Sequence, residues 1–344
     1  MASALPATDT PPVIRPSAPA VRPSAPAAGR RRAARPADGG PVAFAAGPSP
    51  ASASLASASL AAADAGPSCQ VCPVSCGIDR TTETRHGFCG VGRTARIASY
   101  GPDLAQEKCL SGWKGSGLLY FSGCNLRCVF CKEDEISHWG NGAERTAGDL
   151  AELMLRMQRN GAHNVHLVSP SHVLPQILES LDRARDLGLT VPVVYNSGGY
   201  DSVEALRRLE GRIDVYLPDF KLWSEERSAR YLGRADYPRV AREALREMHR
   251  QVGDLVLGED GLAIRGLLVR HLVMPNLLDE TRAVLSFVAK EISPATMTHV
   301  MNGYRPAALV GRGRYSEIDR RLTRDEHCEA LRIAEEVGLY RLVR

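Results

Sequence analysis

No stretch of this 344-residue chain approaches the roughly 18 uncharged apolar residues that a membrane-crossing helix needs, so no membrane span is expected. A large excess of one charge is also missing. Forty-three basic against 39 acidic residues leave a net charge of +4. Arg15, Arg22, Arg30, Arg31, Arg32 and Arg35, set against Asp9, Asp38 and Asp64, carry most of that excess. The remainder is close to neutral and lacks the basic face of a nucleic-acid reader, so no nucleic-acid partner is expected. The N-terminus has no continuous apolar run of the export-signal kind. Arg30–Arg32 precede an alanine-rich stretch broken by Pro36, Asp38, Gly39, Gly40 and Pro41. The nine cysteines cluster at short spacings, which points to metal ligation in a reducing compartment and away from a disulfide scaffold. The expected address is the cytoplasm.

Three segments follow from composition. Residues 1–66 are Ala/Pro/Ser-rich, with the near-repeat Ser52-Ala-Ser-Leu-Ala and Ser57-Ala-Ser-Leu-Ala. They carry too little apolar surface to offset their ordering entropy and are expected to be a disordered tail. Residues 67–109 form a Cys- and Gly-rich metal-binding module, and 110–344 a larger domain. Within the latter, six β-branched or aliphatic runs stand out: Leu118–Phe121, Val165–Val168, Pro192–Tyr195, Ile213–Leu217, Leu267–Val273 and Thr298–Met301. Amphipathic stretches at Ala147–Gln158, Val173–Asp186 and Tyr237–Val252 lie between them, and Thr323–Val337 closes the chain, opening with Thr323 and Glu326 in capping-box spacing. Alternation of this kind predicts α/β architecture with a parallel sheet. Six units make a partial (β/α)6 barrel whose chemistry sits at the C-terminal ends of the strands.

The segment Phe121-Ser-Gly-Cys124-Asn-Leu-Arg-Cys128-Val-Phe-Cys131 follows the first of these runs directly. Three thiolates on one short loop can hold three irons of a cubane and leave the fourth open. A structural zinc site needs a fourth ligand from elsewhere, and spacing alone leaves that alternative standing.

This loop, with the aromatic Phe130 before its third cysteine, resembles the signature of radical S-adenosylmethionine (SAM) enzymes. The resemblance implies that Cys124, Cys128 and Cys131 ligate a [4Fe-4S] cluster, that SAM chelates the open iron, and that Phe130 lies near the adenine. From about Cys69 onward the chain is similar to the branch containing pyruvate-formate-lyase activating enzyme. Tyr195-Asn-Ser-Gly-Gly199 resembles that branch's turn after a strand, with Asn196 where an acidic residue stands in the activases. Asp214-Val-Tyr-Leu-Pro-Asp-Phe-Lys221 resembles a strand that brings Asp219 and Lys221 to SAM, and Val269-Arg-His-Leu-Val-Met-Pro275 one whose arginine, Arg270, faces the cofactor. The branch's Gly-Gly-Glu, which meets the SAM amino group, is replaced by Val168-Ser-Pro-Ser-His172. Ser169, Ser171 or His172 is expected to take over that contact.

The N-terminal module reads Cys69-Gln-Val-Cys72-Pro-Val-Ser-Cys76, then Cys89. Four thiolates among Gly and Pro turns satisfy a structural zinc knuckle and a second iron–sulfur cluster equally. His86 is close enough to replace one ligand but fits a turn position. Cys109 and Cys328 remain. By analogy with radical SAM epimerases, either could donate a hydrogen atom to a substrate radical, Cys109 being nearer in sequence to the cluster loop; the plain alternative is a packing role.

Three functional readings follow. The first is a radical SAM enzyme acting on a small molecule, with the similarity of this branch to epimerases of the avilamycin type suggesting a sugar. The second is an activating enzyme that places a glycyl radical on a partner protein. The third is a non-catalytic Fe-S scaffold, which would not need Asp219, Lys221 and Arg270. The acidic run Lys132-Glu-Asp-Glu-Ile136 lies by the expected cavity mouth, where Asp134 and Glu135 could bond hydroxyls. The resemblance implies a reduced flavodoxin or ferredoxin as electron donor. Replacing Cys128 by alanine should abolish the cluster's visible absorbance and all deoxyadenosine formation while the circular dichroism of the barrel persists. Deoxyadenosine production by Cys128→Ala would refute the loop assignment.

Overall fold

The computed structural model describes residues 68–81 and 87–343. The expected tail and His86 lie outside them. In chain order the strands are β1 (Ala95–Asp103), β2 (Ser116–Phe121), β3 (Ala143–Arg145), β4 (Val165–Val168), β5 (Val193–Ser197), β6 (Val215–Pro218), β7 (Val256–Leu257), β8 (Ala263–Leu272) and β9 (Met297–Met301). The helices are α1 (Lys108–Ser111), α2 (Asp134–Ser137), α3 (Ala147–Arg159), α4 (Leu174–Asp186), α5 (Val203–Arg208), α6 (Glu225–Leu232), α7 (Tyr237–Val252), α8 (Leu278–Phe287) and α9 (Arg324–Glu336).

The six runs read from the sequence are β2, β4, β5, β6, β8 and β9, and they pair side by side in that order, every pair parallel. Helices connect them over the outer face, giving the expected partial (β/α)6 barrel. Thr146 and Asp149 form a capping box on α3, and Thr323 and Glu326 the expected one on α9.

The sheet starts earlier than residue 110. Strand β1 runs antiparallel to β2, from Ile97 opposite Phe121 to Asp103 opposite Ser116, and β3 pairs with the start of β1. Gly101 and Pro102 disguise β1 as a turn. Pro102 is tolerated because β3 pairs only with Ala95–Ile97, which leaves that edge of the strand without a partner. At the other end of the barrel, Arg341–Val343 lie along β9, Thr298 N donating to Arg341 O (2.9 Å) and Val343 N to Thr298 O (2.9 Å). Both edges of the open barrel are thereby covered.

Between β1 and β2 the chain turns beneath the barrel, and α1 closes its floor. Leu110, 1% exposed, packs with Val194, Val215, Leu217 and Leu268. Asn164 Nδ2 donates to Leu110 O at 2.8 Å and pins the plug. Side chains alternate across a strand, so residues two positions further on face the same interior. Val194, Leu217, Leu268 and Met297 are therefore followed by Asn196, Asp219, Arg270 and His299. An apolar floor gives way to polar groups on four strands, Asp219, Arg270 and His299 in register and Asn196 one step lower. Replacing Leu110 by alanine removes the centre of that floor and should cost about 2–5 kcal/mol, read from urea unfolding. A loss below about 1 kcal/mol would mean that the plug does not support the barrel.

Candidate functional site

The loop carrying Cys124, Cys128 and Cys131 leaves β2 at the C-terminal end of the parallel strands and is held from every side. Gly123 sits at φ +85° with the Cys89 carbonyl so close that a Cβ would lie 2.4 Å from its oxygen. Only glycine fits there. Ser122 O is 2.8 Å from His172 Nε2, and Asn125 Nδ2 donates to Tyr200 O at 2.6 Å. Arg127 N and Val129 N donate to Leu232 O (3.1 Å) and Tyr231 O (2.9 Å) at the end of α6, while Leu309 N donates to Val129 O (2.9 Å). Phe130 is buried against Tyr304, the ring centroids 6.0 Å apart.

Burial pushes the Cys124 thiol up to about 11 and raises Cys128 further. The Cys131 charge adds to both shifts and that of Cys124 to the shift of Cys128, while the Lys221 ammonium opposes both. Three soft sulfur donors that repel one another as anions beside a buried cation form a donor set suited to cationic iron.

Across the barrel mouth, Lys221 Nζ bonds Asp219 Oδ2 at 2.5 Å. Burial alone would lower the Lys221 pKa; Asp219 and Cys128 together raise it above its usual value. The turn Ser197-Gly-Gly199 lies against this pair, with Gly199 at φ +76° and no room for a Cβ beside Asp219 O. Ser169, at the end of β4, adopts a left-handed φ of +57°, uncommon for a residue with a side chain.

Arg270 pairs in register with Asp219 on the neighbouring strand. Its Nε and Nη2 make a bidentate pair with Glu107 Oε1 (2.7 Å) and Oε2 (2.5 Å), and Nη2 also donates to Gln106 Oε1 (2.8 Å). Gln106 is held in turn by Asp103 Oδ2 at 2.9 Å. Glu107 Oε1 is also 2.7 Å from His299 Nδ1. With the Asn196 amide oriented to donate to Leu217 O (3.2 Å), its oxygen accepts from Arg270 Nη1 (3.2 Å) and His166 Nε2 (3.1 Å). Glu107 is buried, which would raise its pKa, but the bonds from His299 and Arg270 hold its carboxyl far below the usual range. His166 is wholly buried and its Nδ1 has no partner. Burial, reinforced by Arg270, pushes its pKa down to about 3 and keeps the ring neutral.

The structure therefore brings Cys124, Cys128, Cys131, Asp219, Lys221, Asn196 and Arg270 to one end and one interior. Other expected residues lie elsewhere. Ser171 joins Tyr195 and Ser197 around Asp201, in the buried layer between sheet and helices. His172 is 1% exposed and supports the cluster loop from behind. Cys109 packs in the barrel floor, at the opposite end of the strands from the loop, because it follows the turn at Asp103, which pairs with the first residue of β2. Cys328 is exposed on α9. In the N-terminal module Cys69, Cys72, Cys76 and Cys89 face one another closely enough for their charges to interact. The acidic run after Cys131 forms the short α2, whose Ile136 O accepts from Gly123 N (3.0 Å). Asp103, Gln106, Glu107, His166 and His299 escape motif reading; the nearest signal is a Gln-Glu pair in the lead-in to β2.

Residues 118–285 match the family model described as the Radical SAM superfamily. MJ0674, an uncharacterised protein of Methanocaldococcus jannaschii, is 30% identical over 280 residues, covering 79% of this chain and 75% of that protein. Among solved structures, SuiB of Streptococcus suis aligns with a TM-score of 0.42 and 12% identity over 63% of this chain and 44% of its own. HydG, a maturase of the [FeFe]-hydrogenase, aligns with a TM-score of 0.42 and 14% identity over 65% and 49%. The chain spans less than half the length of these two.

Two outcomes follow from the polar layer. Glu107→Gln leaves Arg270 buried without its counter-charge and should cost about 3–5 kcal/mol in chemical denaturation. Adding Arg270→Met should recover part of that loss, and simple additivity of the two would speak against a coupled pair. His166 has a folded pKa of about 3, below its ordinary value of about 6.5, so the unfolded chain binds its proton first as pH falls. Its contribution to stability is intact above about pH 6.5 and drains away toward pH 3, by about 1.4 kcal/mol per pH unit. His166→Gln should flatten the fall in unfolding free energy across that window; parallel curves would contradict the assignment.

Proposed function

This chain belongs to the radical SAM superfamily, and on that basis we propose that it cleaves SAM reductively and abstracts hydrogen from a small, polar molecule bound inside the barrel. When bound, the [4Fe-4S] cluster and SAM supply one-electron cleavage of the sulfonium to methionine and a 5′-deoxyadenosyl radical. Cys124, Cys128 and Cys131 would hold the cluster. Asp219, Lys221 and Asn196, at the strand ends facing the loop, would orient SAM, with Phe130 on its adenine side.

The observation that carries the substrate class is the polar layer of Arg270, Glu107, His299 and Asn196, closed from below by α1. Such a floor suits hydroxyl or carboxylate groups of a compact ligand approaching from the open end of the strands. Glu107 orients the His299 ring through Nδ1 and leaves Nε2 free to meet a ligand. A sugar is the substrate class we favour. Cys109 packs in the barrel floor and Cys328 is exposed on α9, so the proposal carries no thiol donor and no epimerisation step. A reduced flavodoxin or ferredoxin would deliver the electron, and the thiol-rich sites suit the cytoplasm.

The test is anaerobic reconstitution, reduction with dithionite and timed assay of deoxyadenosine with SAM alone, then with nucleotide sugars and glycosides. Acceleration over the SAM-only rate by one of these compounds supports the reading. Acceleration only by a glycyl-radical protein would replace it with the activating-enzyme reading, and no deoxyadenosine at full iron content would leave an Fe-S scaffold.

A further inference from the structure

The side chain that stands out in the N-terminal module is an arginine. Arg80 is 1% exposed. Its Nη1 donates to His172 O (2.7 Å) and its Nη2 to Cys89 Sγ (3.1 Å), while Nε is buried without a partner. Among the described residues no carboxylate pairs with it. A guanidinium cannot shed its proton, and burying one without a counter-charge costs several kcal/mol. The negative charge must come from its surroundings, and its described surroundings are sulfur. Its charge acts on Cys69, Cys72 and Cys76 as well as lying against Cys89.

Neutral thiols would not balance Arg80. Four thiolates around a divalent zinc ion, or around a [4Fe-4S] cluster, leave a surplus of negative charge in both cases. We propose that Cys69, Cys72, Cys76 and Cys89 bind a thiophilic metal centre as a tetrathiolate, that Arg80 is its buried counter-ion, and that the centre braces the catalytic cluster loop. Among the described residues no three ligating side chains stand at single-ion spacing, the catalytic trio included, so loading draws the thiols into place.

The brace has two parts. Arg80 connects Cys89 Sγ to His172 O, and His172 Nε2 meets Ser122 O two residues before Cys124. Independently, the Cys89 carbonyl presses on Gly123, the residue next to Cys124. A centre that fixes Cys89 therefore fixes the backbone from which the first catalytic cysteine springs. Only this bracing role depends on reading Cys124–Cys131 as the cluster loop; metal binding by the module does not.

The experiment uses the full chain, reconstituted anaerobically with iron, sulfide and zinc, in a Cys124→Ala/Cys128→Ala/Cys131→Ala background that removes the catalytic donors. The expected result is retention of about one zinc or about four irons per chain, the count telling the ion from the cluster, and loss of that metal on adding Cys72→Ser. A metal content near zero before Cys72→Ser is introduced overturns the site. Arg80→Met, which keeps the bulk and removes the charge, should lower occupancy at least ten-fold at limiting metal; full loading would remove Arg80 as counter-ion. In the otherwise native chain, Cys72→Ser should speed amide exchange of residues 122–128 at least ten-fold while β5 and β6 stay protected. Unchanged exchange there overturns the bracing role, and exposure of β5 and β6 as well would mean global unfolding and would also overturn it.

Discussion

The bidentate pair between Glu107 and Arg270 is the constraint around which the interior of this barrel is arranged. Both groups are largely removed from water, at 1% and 14% side-chain exposure, so neither can be charged there without the other. Arg270 is on β8, and Glu107 lies in the segment that crosses beneath the barrel from β1 to β2. Their pairing ties that segment to the far side of the sheet, seats Leu110 in the floor, and holds His299 through Oε1, the oxygen that also meets Arg270 Nε. Asp103, by fixing Gln106, adds a further acceptor for the guanidinium. An interior that in a closed barrel would be filled with aliphatic side chains carries paired polar groups over an apolar base.

Above that polar interior the cysteine loop is fixed mostly by backbone hydrogen bonds. Its amides and carbonyls are satisfied by α6, the Leu309 segment, His172 and Tyr200. This arrangement is joined by two of the cysteine sulfurs: Cys124 Sγ accepts from Leu126 N (3.4 Å) and Cys131 Sγ lies 3.1 Å from Ser137 Oγ. It also explains why the loop's glycine is immovable: Gly123 gives the module carrying Cys89 room to press on the loop. The two cysteine sets, far apart in composition and motif, thus share a wall.

Polar groups on four strands change together because of register. Asn196, Asp219, Arg270 and His299 each follow an inward apolar residue by two positions, and parallel pairing sets Asp219, Arg270 and His299 in one register with Asn196 one step lower, opposite Leu217. A slip of one residue in any strand would turn its polar group outward into the helix layer, where it would be buried without partners. Register and site are therefore set by the same hydrophobic pattern.

Much of this was legible in the chain itself. The six parallel strands, the helix Tyr237–Val252, the Thr323–Glu326 cap and the three-cysteine loop are local signals, written in periodicity and spacing over fewer than about twenty residues, and such signals survive without knowledge of partners. What decided the polar interior was long-range. Glu107 meets Arg270 across 163 positions, and Arg80 meets His172 across 92. A glutamate before a strand and an arginine between turns look like solvated surface until folding removes the water from them. Ser171, Cys109 and Cys328 read as candidates because their chemistry suited a site, yet chain direction and the floor of the barrel placed them elsewhere. Residue type and spacing determined which chemistry this protein can hold; the closing of the sheet around a buried charge pair decided which side chains face it.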